Sequence, residues 1–210
     1  MGAKSSQGEY TESKDYELME AGVYAARCIA CIELGTHKNT HPQAPPDAVK
    51  KDLMIIWEFS GELMEDGRPF TINKRYTNSL GEKANLRKDL KSWRGRDFTP
   101  EELKCFELKK ILDAPCMLNV TKTQGKKDPS KQYNNVLSIM PMPKGMTLEP
   151  RVNDLVDFGI DDRTDAGLMA KIWPWVQTII MESYEAQGLP IPGEEDTKTE
   201  NTSTSDEIPF

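Results

Sequence analysis

Between Gly22 and Leu34 apolar side chains recur at every second position, with Tyr24, Ala26, Cys28, Ala30, Ile32 and Leu34 on one face of an extended chain. A period of two is a strand signal, and a strand this long needs partners on both edges. Arg27 and Glu33 fall on its opposite face, where water or a ligand is expected. Residues 36–49 then carry three prolines and two histidines without periodicity, which predicts a long loop. Residues 51–59 (KDLMIIWEF) read as a second strand and 70–76 (FTINKRY) as the third, joined at the hairpin turn Glu65-Asp66-Gly67. A fourth strand is expected over 115–123, with Cys116, Leu118 and Val120 on one face. The basic turn QGKKDPSK leads to a fifth over 132–142.

The pattern changes between the third and fourth strands. Leu86, Leu90 and Trp93 recur at helical spacing, with Asn78 or Ser79 as cap and Glu82 in the first turn. A second helix is signalled by Thr99-Pro100-Glu101-Glu102, a capping residue, a first-turn proline and two acids facing the helix dipole. The order β-β-β-α-β-β is that of a mainly β, five-stranded OB-type barrel with helices between strands three and four. Other small barrels share this element count.

The chain divides into four segments: a flexible N-terminus over 1–19, the OB-type domain over 20–145, an arm and helical extension over 146–188, and a tail over 189–210. The arm is irregular to about 165. Beyond it a helical pattern interrupted by Pro174 offers Leu168, Ile172, Trp175, Ile179 and Tyr184 as an apolar stripe. The tail has few apolar residues and excess acid, so it is expected to be disordered.

The net charge of −7 argues against a polyanion ligand until its distribution is counted. Residues 70–133 hold fifteen Lys and Arg against eight Asp and Glu, a local excess of +7, whereas 189–210 hold six acids against Lys198. A basic middle and an acidic end point to a polyanion site and a separate charged tail. No apolar run approaches the ~20 residues that span a bilayer, and the first twenty residues lack a signal-peptide core. Gly2 with Ser6 fits the short myristoylation pattern, but no other membrane signal accompanies it. The expectation is a chain without membrane association, in the cytoplasm (the host's, if phage-encoded), with its four cysteines reduced.

The tail ends in Asp206-Glu207-Ile208-Pro209-Phe210. These residues resemble the C-terminal tip of bacterial single-stranded-DNA-binding proteins, where acids precede a terminal Ile-Pro-Phe. The resemblance implies a portable ligand: Phe210 for an apolar pocket, Asp206 and Glu207 for a basic rim, Pro209 to stiffen the peptide. Replication or recombination proteins are the partners it implies. Over residues 20–145 the body resembles a family of phage-encoded proteins assigned single-stranded-DNA binding through an OB-fold. The carrying stretches are Tyr76-Thr77-Asn78-Ser79-Leu80 and Lys91-Ser92-Trp93-Arg94-Gly95-Arg96-Asp97-Phe98-Thr99. The likeness transfers no individual DNA contacts, nor the tetrameric assembly of bacterial relatives.

A groove for single strands needs cations for phosphates and aromatic faces for bases. The sequence offers both in Lys74-Arg75-Tyr76, in Trp93-Arg94 with Arg96, and in Lys122, Lys126, Lys127 and Lys131 with Tyr133; Arg27, Lys51 and Trp57 extend the set. Trp57 and Trp93 suit a core equally well. Lys83, Arg87, Lys88 and Lys91 read as a solvated helix face. Cys28-x2-Cys31 with His37-x3-His41 has zinc-ligand chemistry, yet the intervening gap is short and residues i and i+3 of a regular strand face opposite ways. No metal or other cofactor is therefore expected. Nucleotide-binding, metalloprotease and serine-hydrolase signatures are absent from the sequence, so a non-enzymatic binder is expected. The alternative is a decoy whose tail captures host replication proteins while its body binds no DNA.

Overall fold

The computed structural model describes residues 17–125 and 128–193. Five strands form where the alternation indicates, with wider limits: β1 (Gly22–Lys38), β2 (Val49–Leu63), β3 (Pro69–Thr77), β4 (Pro115–Gln124) and β5 (Gln132–Met140). They are hydrogen-bonded in the order β3-β2-β1-β4-β5, each pair antiparallel. The hairpin between β2 and β3 closes through Met64 and Arg68, and Gly67 takes φ +82°, as its turn requires. Among the described residues no helix is long and apolar enough to cross a membrane.

No ladder joins β3 to β5, so the sheet is open along that seam. Helix α1 (Asn85–Arg94) spans it, burying Leu86, Leu90 and Trp93 as their spacing predicts. Asp89 accepts from Tyr76 Oη at 2.8 Å and from Lys74 Nζ at 2.7 Å, both on β3. On the far side Ser92 Oγ donates to the Ile139 carbonyl of β5 at 2.6 Å, and Trp93 Nε1 to the Pro115 carbonyl of β4 at 2.9 Å. The helix starts later than expected, after Ala84 and without a side-chain cap. The Asn78 N–H donates to the Lys51 carbonyl, which holds that residue against β2, while Ser79 Oγ accepts from Gly81 in a turn. Helix α2 (Pro100–Cys105) has Thr99 as the expected cap, and Glu102 completes a capping box by accepting from the Thr99 N–H.

The regular alternation of β1 does not survive. Its pairing with β2 shifts between Cys28 and Ala30 and again between Glu33 and Gly35, leaving Ile29 and Leu34 as extra residues. Each shift inverts the facing of the residues after it. Ala26, Cys28 and Cys31 enter a first core with Trp57, Phe59, Leu90, Trp93 and Leu118, while Ile29, Ala30, Ile32 and Leu34 enter a second. Gly35, at φ +86°, passes so close to Ser183 that a Cβ would lie 2.6 Å from its side chain.

The second core has no counterpart in the sequence pattern. Met54 and Ile56 of β2 join the β1 residues beneath Val156, Phe158, Ile172, Val176 and Ile180. The expected arm contains a sixth strand, β6 (Val156–Phe158), parallel to β1 at Ala30–Ile32. After it come α3 (Ala166–Met169), α4 (Pro174–Met181) and α5 (Tyr184–Gln187). Pro174 starts a helix as its first residue rather than interrupting one, so the phase resets. Ile172, Val176 and Ile180 point inward, Leu168 and Ile179 pack at the margin, and Trp175 is 45% exposed. Three carboxylates fasten this layer. Glu58, fully buried, accepts from Ser60 Oγ, the backbone N–H groups of Val152 and Asn153, and Asn153 Nδ2 at 2.7–2.9 Å. Burial pushes its carboxyl pKa up, but these bonds outweigh burial and hold it below the ordinary value. Glu185 accepts from Thr36 N and Oγ1, and Glu33 from Asn78 Nδ2 and Ile160 N, so Glu33 does not wait for a ligand. Met19, assigned by sequence to the flexible N-terminus, is buried and exchanges two bonds with Asn134.

If the C-terminal layer is an integral core, Ile180→Ala should destabilise by about 2–5 kcal/mol in urea unfolding. Trp175→Ala should stay within about 0.5 kcal/mol of the parent.

Candidate functional site

The aromatic residues chosen from sequence go mostly inward. Trp57 has no exposed surface and packs 6.1 Å from Trp93 between ring centroids. Trp93 is buried with its indole N–H spent on Pro115, and Tyr76 is buried with its hydroxyl on Asp89. Burial, then Asp89, drives the Tyr76 hydroxyl pKa upward, so it stays protonated. For both tryptophans the core reading is the one the structure displays. Tyr133, 47% exposed, keeps a ring in solvent.

The cations separate into several places. Lys74 and Arg75 share a groove of about 820 Å³ with Lys50 and Lys83, between the end of β3 and the start of α1. Tyr76, Thr77, Ser79, Gly81, Ala84 and Asn85 form its remaining wall, with one acid, Glu82, beside Lys83. Beneath it the Asp52 carboxylate, with no exposed side-chain surface, pairs with Arg75 at 2.5 Å and Lys50 at 3.1 Å. Lys74 is held by Asp89. Lys83 is exposed, and among the described residues it has no ion-pair partner. The groove thus carries four cations, three of them positioned by Asp52 and Asp89, and suits phosphate-type anions. Sequence reasoning missed Lys50 because it began the strand at residue 51, two residues after its start at Val49. It assigned Lys83 to a helix face because it began the helix too early.

At the other end of α1, Arg94 and Arg96 border a pocket of about 370 Å³ with Trp93, Phe106 and Lys110. Arg94 is chiefly structural: its guanidinium lies 4.3 Å from the Phe98 ring centroid and pairs with Glu102 at 2.5 Å. Glu102 also takes Arg96 at 2.6 Å. Hydrogen bonds from Arg96 first, then from the Thr99 N–H and Arg94, lower its carboxyl pKa from 4.5 to about 2. Arg27 pairs with Asp113 at 2.9 Å and Lys122 with Glu20 at 2.6 Å, both away from the groove. Lys51 lines a different cavity beside Asp52 and Glu185. Lys131 is exposed at the entry to β5. Lys126, Lys127 and the tip Asp206, Glu207, Ile208, Pro209 and Phe210 lie outside the described residues.

One geometric expectation is overturned. The first β1 bulge brings Cys28 and Cys31 to one side, with Sγ atoms 3.9 Å apart. Both are buried, and burial pushes the Cys28 thiol pKa well up. His37 Nε2 is engaged with the Leu34 carbonyl, and among the described residues no three metal-ligating side chains converge. The cysteines act as small core residues.

No family model matches this chain, and no curated protein matches it. The functional reading therefore rests on the residues themselves.

Because the Glu102 pKa is lowered on folding, its contribution is complete above about pH 4.5 and is lost as pH falls toward 2. The urea midpoint should decline across that interval, and Glu102→Gln should flatten the decline.

Proposed function

We propose that this chain binds single-stranded DNA without base specificity, through an OB-type barrel, and recruits replication or recombination proteins through its acidic C-terminal tip. It acts as a binder, without catalysis, in the DNA metabolism of a phage. The supporting observation is the strand order β3-β2-β1-β4-β5 with α1 lying along the open β3–β5 seam. An OB arrangement places its helix between the third and fourth strands in this manner. The cation-lined groove adds a phosphate-compatible surface.

In this reading exposed cations such as Lys83 and Lys131 displace the counterions condensed on the phosphates, and binding weakens as salt is added. With Trp57, Trp93 and Tyr76 committed to the interior, stacking contributes less than the sequence implies and the electrostatic share is larger. The tip, held on a polar linker, would carry Ile208 and Phe210 to apolar pockets rimmed by basic residues on partner proteins.

The same burial favours a second reading. A decoy needs only the tip, and the aromatic-basic clusters that argue against it are weaker once their rings are in the core.

Titration of a labelled oligo-dT of about 30 nucleotides separates the two, using two salt concentrations and duplex competitor. The expected result is binding that salt weakens and duplex does not displace. Lys83→Ala should lower the slope of log affinity against log salt by about 0.7, the loss of one single-strand phosphate contact. Absence of binding at low salt selects the decoy.

A further inference from the structure

In OB arrangements the ligand surface centres on the outer face of strands two and three. That route is obstructed here. Met54 and Ile56 are buried under the C-terminal layer, and Glu58 ties Val152 and Asn153 across β2. On the outer side of that pair only β3 remains open, at Thr71, Asn73, Arg75 and Thr77.

The opposite flank of β1 is different. Leu118, Val120, Val136 and Ile139 face the first core, so the alternate residues of β4 and β5 face outward. Val23 lies opposite Asn119, Thr121 opposite Asn135, and Thr123 opposite Tyr133, which makes a three-strand outer face. The β4–β5 register shifts at Asn119/Val120, leaving Leu137 unpaired and 64% exposed. Val23 is 51% exposed and Tyr133 47%. From Met117 to Thr123 the surface runs about 20 Å along β4.

Its chemistry is selective. In a chain with 34 acidic residues, β4 and β5 contain no Asp or Glu. Asn119, Thr121 and Asn135 supply amides and a hydroxyl among exposed apolar groups, and Asn135 Nδ2 donates to Thr123 Oγ1. The Tyr133 ring rests against Gly125, where a Cβ would lie 2.9 Å from it, so it is backed on one side and open to solvent elsewhere. Lys131 stands at one end of the face, and Arg27 with Arg151 near Asp113 at the other.

The geometry points to the outer face of β1, β4 and β5 as the surface that takes the bases of single-stranded DNA. Tyr133 is the stacking ring and Lys131 a phosphate contact. The inference rests on the single-strand reading above and relocates its base-binding surface away from β2. A face whose β4 and β5 strands carry no acid, with Asp113 and Asp128 confined to its two ends beside Arg27 and Lys131, and which mixes an aromatic ring, amides and hydroxyls, matches nucleobases and phosphates better than it matches an apolar protein interface.

The test uses the full chain and the same oligo-dT. Tyr133→Ala should weaken binding about 5- to 150-fold, the loss of one stacked base. Thr121→Glu, which sets a carboxylate in the middle of the face, should weaken it at least about 10-fold by the same electrostatic logic. Thr71→Glu, on β3, should bind like the parent. If the parent binds while Tyr133→Ala and Thr121→Glu stay within twofold of it, the relocation is wrong and the single-strand reading stands. If the parent does not bind, both fail. Changed oligomeric state in Tyr133→Ala with unchanged DNA affinity would make the face a protein interface and overturn the inference. Ultraviolet cross-linking of the unmodified chain to iodouracil-substituted oligo-dT is independent of variant folding. Adducts within Gln132–Met140 support the assignment, and adducts confined to β3 or α1 overturn it.

Discussion

The whole arrangement depends on the two irregularities of β1. A regular strand sends alternate residues to the same face along its whole length, so Ala26, Cys28, Ala30, Ile32 and Leu34 would all face one core. Here β1 pairs with β2, β4 and β6, and each added residue inverts its facing. Cys28 and Cys31 therefore line the first core, whereas Ile29, Ala30, Ile32 and Leu34 line the second. The same bulges increase the local twist and bend the sheet, which helps bring its edge strands toward one another. A helix then bridges what the ladder does not close.

That bridge determines how the aromatic and charged residues are used. Asp89, Ser92 and Trp93 contact three different strands from one helix, and in doing so consume Tyr76 and Lys74. Burying an indole or a phenol costs less when its polar atom finds a partner, which the buried Trp57 Nε1 lacks among the described residues. Trp93 and Tyr76 satisfy that condition internally, so their rings are structural. The basic groove beside them rests instead on a carboxylate of β2. Asp52 is buried beneath Lys50 and Arg75, and its charge is acceptable there because two cations compensate it.

The C-terminal layer adds a second constraint on function. Glu58 and Glu185 fix it through short bonds to backbone and hydroxyl donors, and a carboxylate with several donors stays ionised despite burial. Covering β2 in this way strengthens the centre of the sheet and removes its outer surface from use. The uncovered face lies over β4 and β5, which carry no acid, on the side of β1 away from β2.

Much was legible without coordinates. The five main strands, the hairpin at Gly67, the inward face of Cys116, Leu118 and Val120, and the Thr99 cap arise from local periodicity and local hydrogen-bonding chemistry. The charge segregation and the Ile-Pro-Phe ending are likewise properties of the sequence alone. The bulges of β1, the second core and the side on which each aromatic falls were decided only by tertiary structure. They arise from contacts between elements distant in the chain, which for the second core span more than a hundred positions, as for Glu33 with Ile160 or Thr36 with Glu185. Periodicity reports which residues share a face, but which face becomes interior depends on what later packs against it.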